Sequence, residues 1–86
     1  MLLIIFSNAT LSAKYKKIAQ NHNLIGVRII QTPKELSHLG CSYAVKAPER
    51  YENELFFLMR EYEMNPTAVY IIENLKNGKI SYKKIK

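Results

Sequence analysis

The chain is poor in the residues that most often announce chemistry. In 86 residues it has one cysteine, two histidines, no tryptophan, three glycines and three prolines. A single cysteine excludes an internal disulfide and fits a reducing, cytoplasmic setting. One cysteine and two histidines also lack the spacing of a structural zinc site. The chain carries no Gly-rich phosphate loop, and no Ser-His-Asp constellation can be inferred from it. No metal and no cofactor are expected. Linkers rich in Gly, Ser or Pro are absent, as are low-complexity runs, so residues 1–86 are expected to form one domain.

Long apolar runs are missing too. The apolar start Met1-Leu2-Leu3-Ile4-Ile5-Phe6 stops at Ser7, too short to cross a bilayer. It lacks a basic leader and a small-residue cleavage site, so a buried strand is a simpler reading than a signal peptide.

What is present is a patterned α+β chain. Residues 2–6 read as a central strand buried on both sides. Asn8 or Thr10 can cap a helix whose apolar stripe is Leu11, Tyr15, Ile18, Ala19 and His22. Asn21, Asn23 and Gly26 supply its stop. Residues 27–31 read as a second strand, which Thr32-Pro33 breaks. After a compact loop, residues 41–47 read as a third strand. Pro48 and the following glutamates suit the start of a second helix. Its stripe is Tyr51, Leu55, Leu58, Met59 and Tyr62, and Asn65-Pro66 ends it. Residues 68–73 form a fourth strand. Asn77-Gly78 signals a type I′ hairpin into a fifth strand over residues 79–85.

The two helical stripes coincide at an offset of forty residues. The same offset lays the first strand over the third and the second over the fourth. Two βαβ halves of equal spacing predict a ferredoxin-like two-layer sandwich, βαββαβ, with an extra C-terminal strand in a hairpin. Its expected strand order is 4-1-3-2, with the fifth strand beside the fourth. The loop between strands 2 and 3 then lies at the end where strand 1 enters the first helix.

That loop holds the sharpest candidate, Cys41. Gly40 before it permits unusual backbone, irregular loops are over-represented among functional sites, and the nearby helix N-terminus would stabilise a thiolate. A partly accessible thiol is the expectation. The bland alternative is a small buried hydrophobe at a strand start. His38 lies three residues from Cys41 and reads as a surface residue, because nothing ensures that the two meet. His22 reads as a partly covered helix-end histidine. Glu49, Glu52, Glu54, Glu61 and Glu63 follow helix-surface spacing and need no catalytic role, so no enzyme is expected. Phe6, Tyr43 and Tyr70 fall on central strands without an RNA-recognition consensus, and packing explains them better.

The formal net charge is +6, with lysines at 14, 16 and 17 on the first helix and at 76, 79, 83, 84 and 86 near the end. Solvated faces explain these lysines better than a nucleic-acid surface, and an acidic protein partner would use the same charge.

The run Pro33-Lys34-Glu35-Leu36-Ser37, followed by Cys41-Ser42-Tyr43-Ala44-Val45-Lys46, resembles the putative selenium/sulfur carrier protein-like family of short bacterial proteins. The resemblance covers roughly the first two thirds of the chain, including Phe6-Ser7. That family usually has glycine directly after the cysteine, whereas Ser42 stands there here and Gly40 precedes it. The resemblance implies a carrier that holds a persulfide or perselenide on Cys41 and exchanges it with donor and acceptor proteins. Pro33, Glu35, Ser37, Gly40 and Ser42 would shape the loop, with Ser37 a candidate donor to the thiolate. The alternative is a small interaction or regulatory domain with an incidental cysteine.

Overall fold

A computed structural model describes all residues, 1–86. The strands are β1 (Leu2–Ile5), β2 (Arg28–Gln31), β3 (Tyr43–Ala47), β4 (Ala68–Asn74) and β5 (Ile80–Lys84), and the helices are α1 (Ala9–Asn21) and α2 (Glu52–Glu61). The chain is α+β. Its one sheet runs β2-β3-β1-β4-β5, and every neighbouring pair is antiparallel. β1 and β2 do not pair, because β3 lies between them.

Side chains alternate across each strand, and the alternation divides the core in two. Leu2, Ile4, Phe6, Val45 and Val69 join Tyr15 and Ala19 of α1 and Leu55, Leu58 and Met59 of α2 in the larger cluster. Both helices therefore cover the same face. Leu3, Ile5, Ala44, Ala68 and Tyr70 point the other way, where Leu36 and Cys41 pack against them. No helix is long and apolar enough to cross a membrane.

The forty-residue repeat is structural. Asn8 caps α1, its Oδ1 accepting from the Leu11 amide at 2.9 Å. α1 ends with Asn23 at φ 62°, and the Leu24 amide donates to Ala19 O at 3.1 Å. α2 ends in the same closure, with Glu63 at φ 52° and the Met64 amide donating to Met59 O at 2.8 Å. Both are left-handed C-terminal caps of the Schellman kind. The helices touch at equivalent positions, since Tyr15 Oη donates to Leu55 O at 2.7 Å. Tyr15 is fully buried and its ring packs on Phe6 at 5.1 Å.

Two details differ from the sequence reading. β3 begins at Tyr43, so Cys41 precedes the strand. The hairpin is not type I′, which needs positive φ at both central residues. Only Gly78 is positive, at 80°, and its amide donates to Leu75 O at 3.1 Å. Lys76 and Asn77 therefore occupy an ordinary turn, with Gly78 supplying the left-handed residue after it. Beyond β5, Ile85 packs on the helix-side core and the Lys86 ammonium lies 5.1 Å from the Phe56 ring centroid.

Burial raises the Tyr15 hydroxyl well above its ordinary pKa of 10.0. The fold holds this proton while the unfolded chain releases it, so the contribution is intact below pH 10 and is lost as pH rises above it. Tyr15→Phe should cost about 1 kcal/mol at neutral pH in urea denaturation, the value of one internal hydrogen bond. Its stability should also fall less steeply than the wild type's above pH 10.

Candidate functional site

The link between β2 and β3 is a strap across the helix-free face of the sheet. Pro33, at φ −54° and ψ 145°, turns the chain out of β2, and Lys34–Leu39 winds as a short 3-10 helix. The Leu36 amide donates to Pro33 O at 2.9 Å and the Gly40 amide to Ser37 O at 3.1 Å. Gly40 ends the turn in the left-handed region at φ 84°, with open space where a Cβ would stand. The Thr32 amide donates to Ser42 O at 2.9 Å and closes the base.

The strap docks through side chains. Its backbone hydrogen bonds are internal or at its base, and none joins residues 34–40 to the sheet. Leu36 is buried on the sheet and Leu39 is half-buried. Glu35 reaches β5, where burial and then the Glu35 charge raise the Tyr82 hydroxyl above its ordinary pKa of 10.0. At the base, Thr32 Oγ1 is buried without a partner in the chain.

Cys41 lies beneath this strap. The expectation of an accessible thiol does not hold in this conformation, because the residue is 5% exposed. Leu36 and the apolar side chains of β1, β3 and β4 surround it. Its Sγ donates to Tyr43 O at 2.9 Å, and Ser12 Oγ of α1 donates to the same carbonyl at 3.5 Å. The loop does lie at the α1 end of the sheet. Even so, Cys41 packs on the face opposite the helices, so its partner is a strand carbonyl rather than the amides of the helix N-terminus.

None of the other predicted loop residues makes a hydrogen bond to the thiol. Ser37 Oγ donates to Lys34 O at 2.9 Å, so the hydroxyl stabilises the turn instead of facing the sulfur. Glu35, Ser37, His38, Gly40 and Ser42 are exposed, and Pro33 is half-buried. His38 makes no hydrogen bond to Cys41. His22 is exposed, not partly covered, with Nε2 3.2 Å from Tyr62 Oη. Phe6 and Tyr70 are core residues, whereas Tyr43 is 43% exposed. No group of three or more His, Cys, Asp or Glu is placed to hold a metal ion. Sequence reasoning missed Leu36 and Leu39 as the cover. Their spacing of three, within a loop between two strands, is the available signal, because a 3-10 turn places such residues on one side.

The model of one family, described as Putative Se/S carrier protein-like, matches residues 1–71. The match includes the strap and Cys41 and stops within β4, before the C-terminal hairpin. No curated protein matches the chain, and no solved structure matches it.

Gly40→Ala should destabilise the protein by about 1 kcal/mol, because a Cβ disfavours the left-handed region even where nothing clashes. Gly40→Asn should cost less, since asparagine tolerates that region. Chemical denaturation of the two variants checks the order. Equal losses would mean that the backbone angle is not the constraint.

Proposed function

Because the chain belongs to the Putative Se/S carrier protein-like family, we propose that it is a non-enzymatic carrier of sulfur or selenium, with Cys41 as the carrying group. One observation supports this reading above the others. The chain's only thiol lies under a strap that no backbone hydrogen bond ties to the sheet. Such a segment can open locally without breaking a strand pair. The site then has two states, one that shelters the sulfur and one that presents it.

The chemistry is thiol exchange. A donor protein carrying a persulfide, R–S–SH, meets the Cys41 thiolate. Sγ attacks the outer sulfur, a new S–S bond forms on Cys41, and the donor's S–S bond breaks. The donor leaves as a thiolate and takes up the proton that Cys41 gave away. No net oxidation occurs, and a perselenide transfers in the same way. Delivery to an acceptor thiol repeats the exchange in the forward direction. Pro33 and Gly40 act as the pivots of the strap, and Glu35, Ser37 and Ser42 shape its exposed surface. The partners are sulfur- or selenium-handling proteins, and the setting is the cytoplasm, where a lone thiol stays reduced. We read the strand order, with both helices on one face, as a ferredoxin-like sandwich of two βαβ halves.

A second reading is favoured by the burial of Cys41. In it the chain is a small interaction domain, and the cysteine is a core residue filling space under Leu36.

Incubation with a cysteine desulfurase and cysteine, followed by intact-mass measurement, should add the mass of one sulfur to the wild type and nothing to Cys41→Ser. Leu36→Ala should destabilise the fold by about 2 kcal/mol, the low end for a buried leucine. It should also speed alkylation of Cys41 under native conditions. No sulfur gain, together with alkylation only on global unfolding, would establish the second reading instead.

A further inference from the structure

Leu3 and Tyr70 at the centre of the helix-free face are buried, whereas its margins beyond the strap stay open. Strand register identifies which side chains the face carries. Arg28 of β2 stands opposite Lys46 of β3, Lys46 opposite Leu3 of β1, Leu3 opposite Tyr70 of β4, and Tyr70 opposite Lys84 of β5. Directly paired residues point to the same face. Leu3 and Tyr70 belong to the cluster on the helix-free side, so Arg28, Lys46 and Lys84 point there as well. One lateral row thus crosses all five strands, with cations at both ends, and spans roughly 19 Å at the usual strand spacing. The adjoining row places Ile72 opposite Tyr82, and Asn74 faces Ile80, which is 54% exposed.

This arrangement is not one that stability alone favours. Arg28 and Lys46 are like charges directly opposite each other, which weakens a strand pair. Neither they nor Lys84 have a carboxylate in reach, since the chain's one ion pair joins the Met1 amine to Glu49 at 3.4 Å. The glutamates of α2 lie on the other side of the sheet. Among the strap's residues only Glu35 brings an acid to this face, at Tyr82.

We infer that this row is a docking surface for an acidic protein partner. Its carboxylates pair with Arg28, Lys46 and Lys84 while its apolar side chains cover Ile72 and Ile80. Charge complementarity selects the occupant. A single small anion does not span the row. Nucleic acid fits less well, because stacking needs open aromatic faces and Tyr70 is 9% exposed. The inference deepens the carrier reading, on which it rests for the identity of the partner as a sulfur donor or acceptor. The surface itself does not use Cys41. A partner seated on it would also border the strap at Glu35 and Tyr82.

The test uses the full chain and a fluorescein-labelled peptide of alternating glutamate and leucine, followed by anisotropy and by amide shifts of the labelled protein. Amide shifts should concentrate at Arg28, Lys46, Tyr70 and Lys84. The triple variant R28E/K46E/K84E should bind the peptide about tenfold or more weakly, as truncation of complementary charge does. The milder R28Q/K46Q/K84Q guards against a folding defect and should move in the same direction. K14E/K17E on exposed α1 should bind like the wild type. So should Cys41→Ser, which separates failure of this surface from failure of the carrier reading. No binding, equal loss in K14E/K17E, or shifts centred on the helices would overturn the proposal. A single-stranded oligonucleotide that binds more tightly than the peptide and is lost in the same triple variant would also overturn it, making the occupant a nucleic acid.

Discussion

β1 is buried on both sides, and the rest of the molecule follows from that constraint. Leu2, Leu3, Ile4 and Ile5 are each 1% exposed or less. Their alternating side chains require an apolar cover above and below the sheet. α1 and α2 supply the cover on one face through Tyr15, Ala19, Leu55, Leu58 and Met59. No helix remains for the other face, so the β2–β3 link must do that work with Leu36, Leu39 and Cys41. The cysteine's burial is therefore a consequence of the central strand's composition. A loop that has to seal Leu3 and Ile5 cannot also hold its thiol out in solvent in the same conformation.

The architecture was legible where residues obey a period. Stripes at helical spacing located both helices, and their common offset anticipated that equivalent positions would meet, as Tyr15 and Leu55 do. Asn8 as a cap and Pro48 as an entry to the second helix were readable from residue type alone. The left-handed Glu63 was not, because glutamate carries no preference for that region. Its conformation follows from closing α2 in the way Asn23 closes α1. The hairpin was misread for a related reason. Asn77-Gly78 favours a two-residue turn, but pairing Asn74 with Ile80 leaves room for a longer loop, and the register prevails over the local preference.

The candidate site was legible as a place and not as a state. Pro33, Gly40 and Cys41 mark where the chain leaves and rejoins the sheet, and residue type suffices for that. Which face the loop folds across depends on which face the helices leave open. That is a property of the whole sheet, and no local signal in residues 32–42 encodes it. The basic row is an opposite case. Arg28, Lys46 and Lys84 are dispersed along the chain, and only strand register brings them into line.

Burial and exchange are compatible if the strap's docking energy is modest. Lifting it re-exposes Leu36 and part of Leu39 and uncovers the Leu3 and Ile5 side chains beneath, and one buried leucine alone costs about 1.5–3 kcal/mol. At about 1.4 kcal/mol per factor of ten, the open state is then a minor one, at most roughly one part in ten. Opening breaks no strand pair, and it frees Thr32 Oγ1 from an unpaired burial that already works against the closed state. A persulfide on Cys41 adds a sulfur atom to a site packed around a thiol. Overpacking of that kind destabilises the closed arrangement, so loading itself shifts the strap toward the open state. On the proposed carrier reading, a donor would meet a mostly closed chain and work through its minor population, whereas an acceptor would meet one already biased to open. The strap that hides the empty thiol would, on that reading, favour release of the cargo, giving the direction of transfer a physical cause in how Leu36 packs.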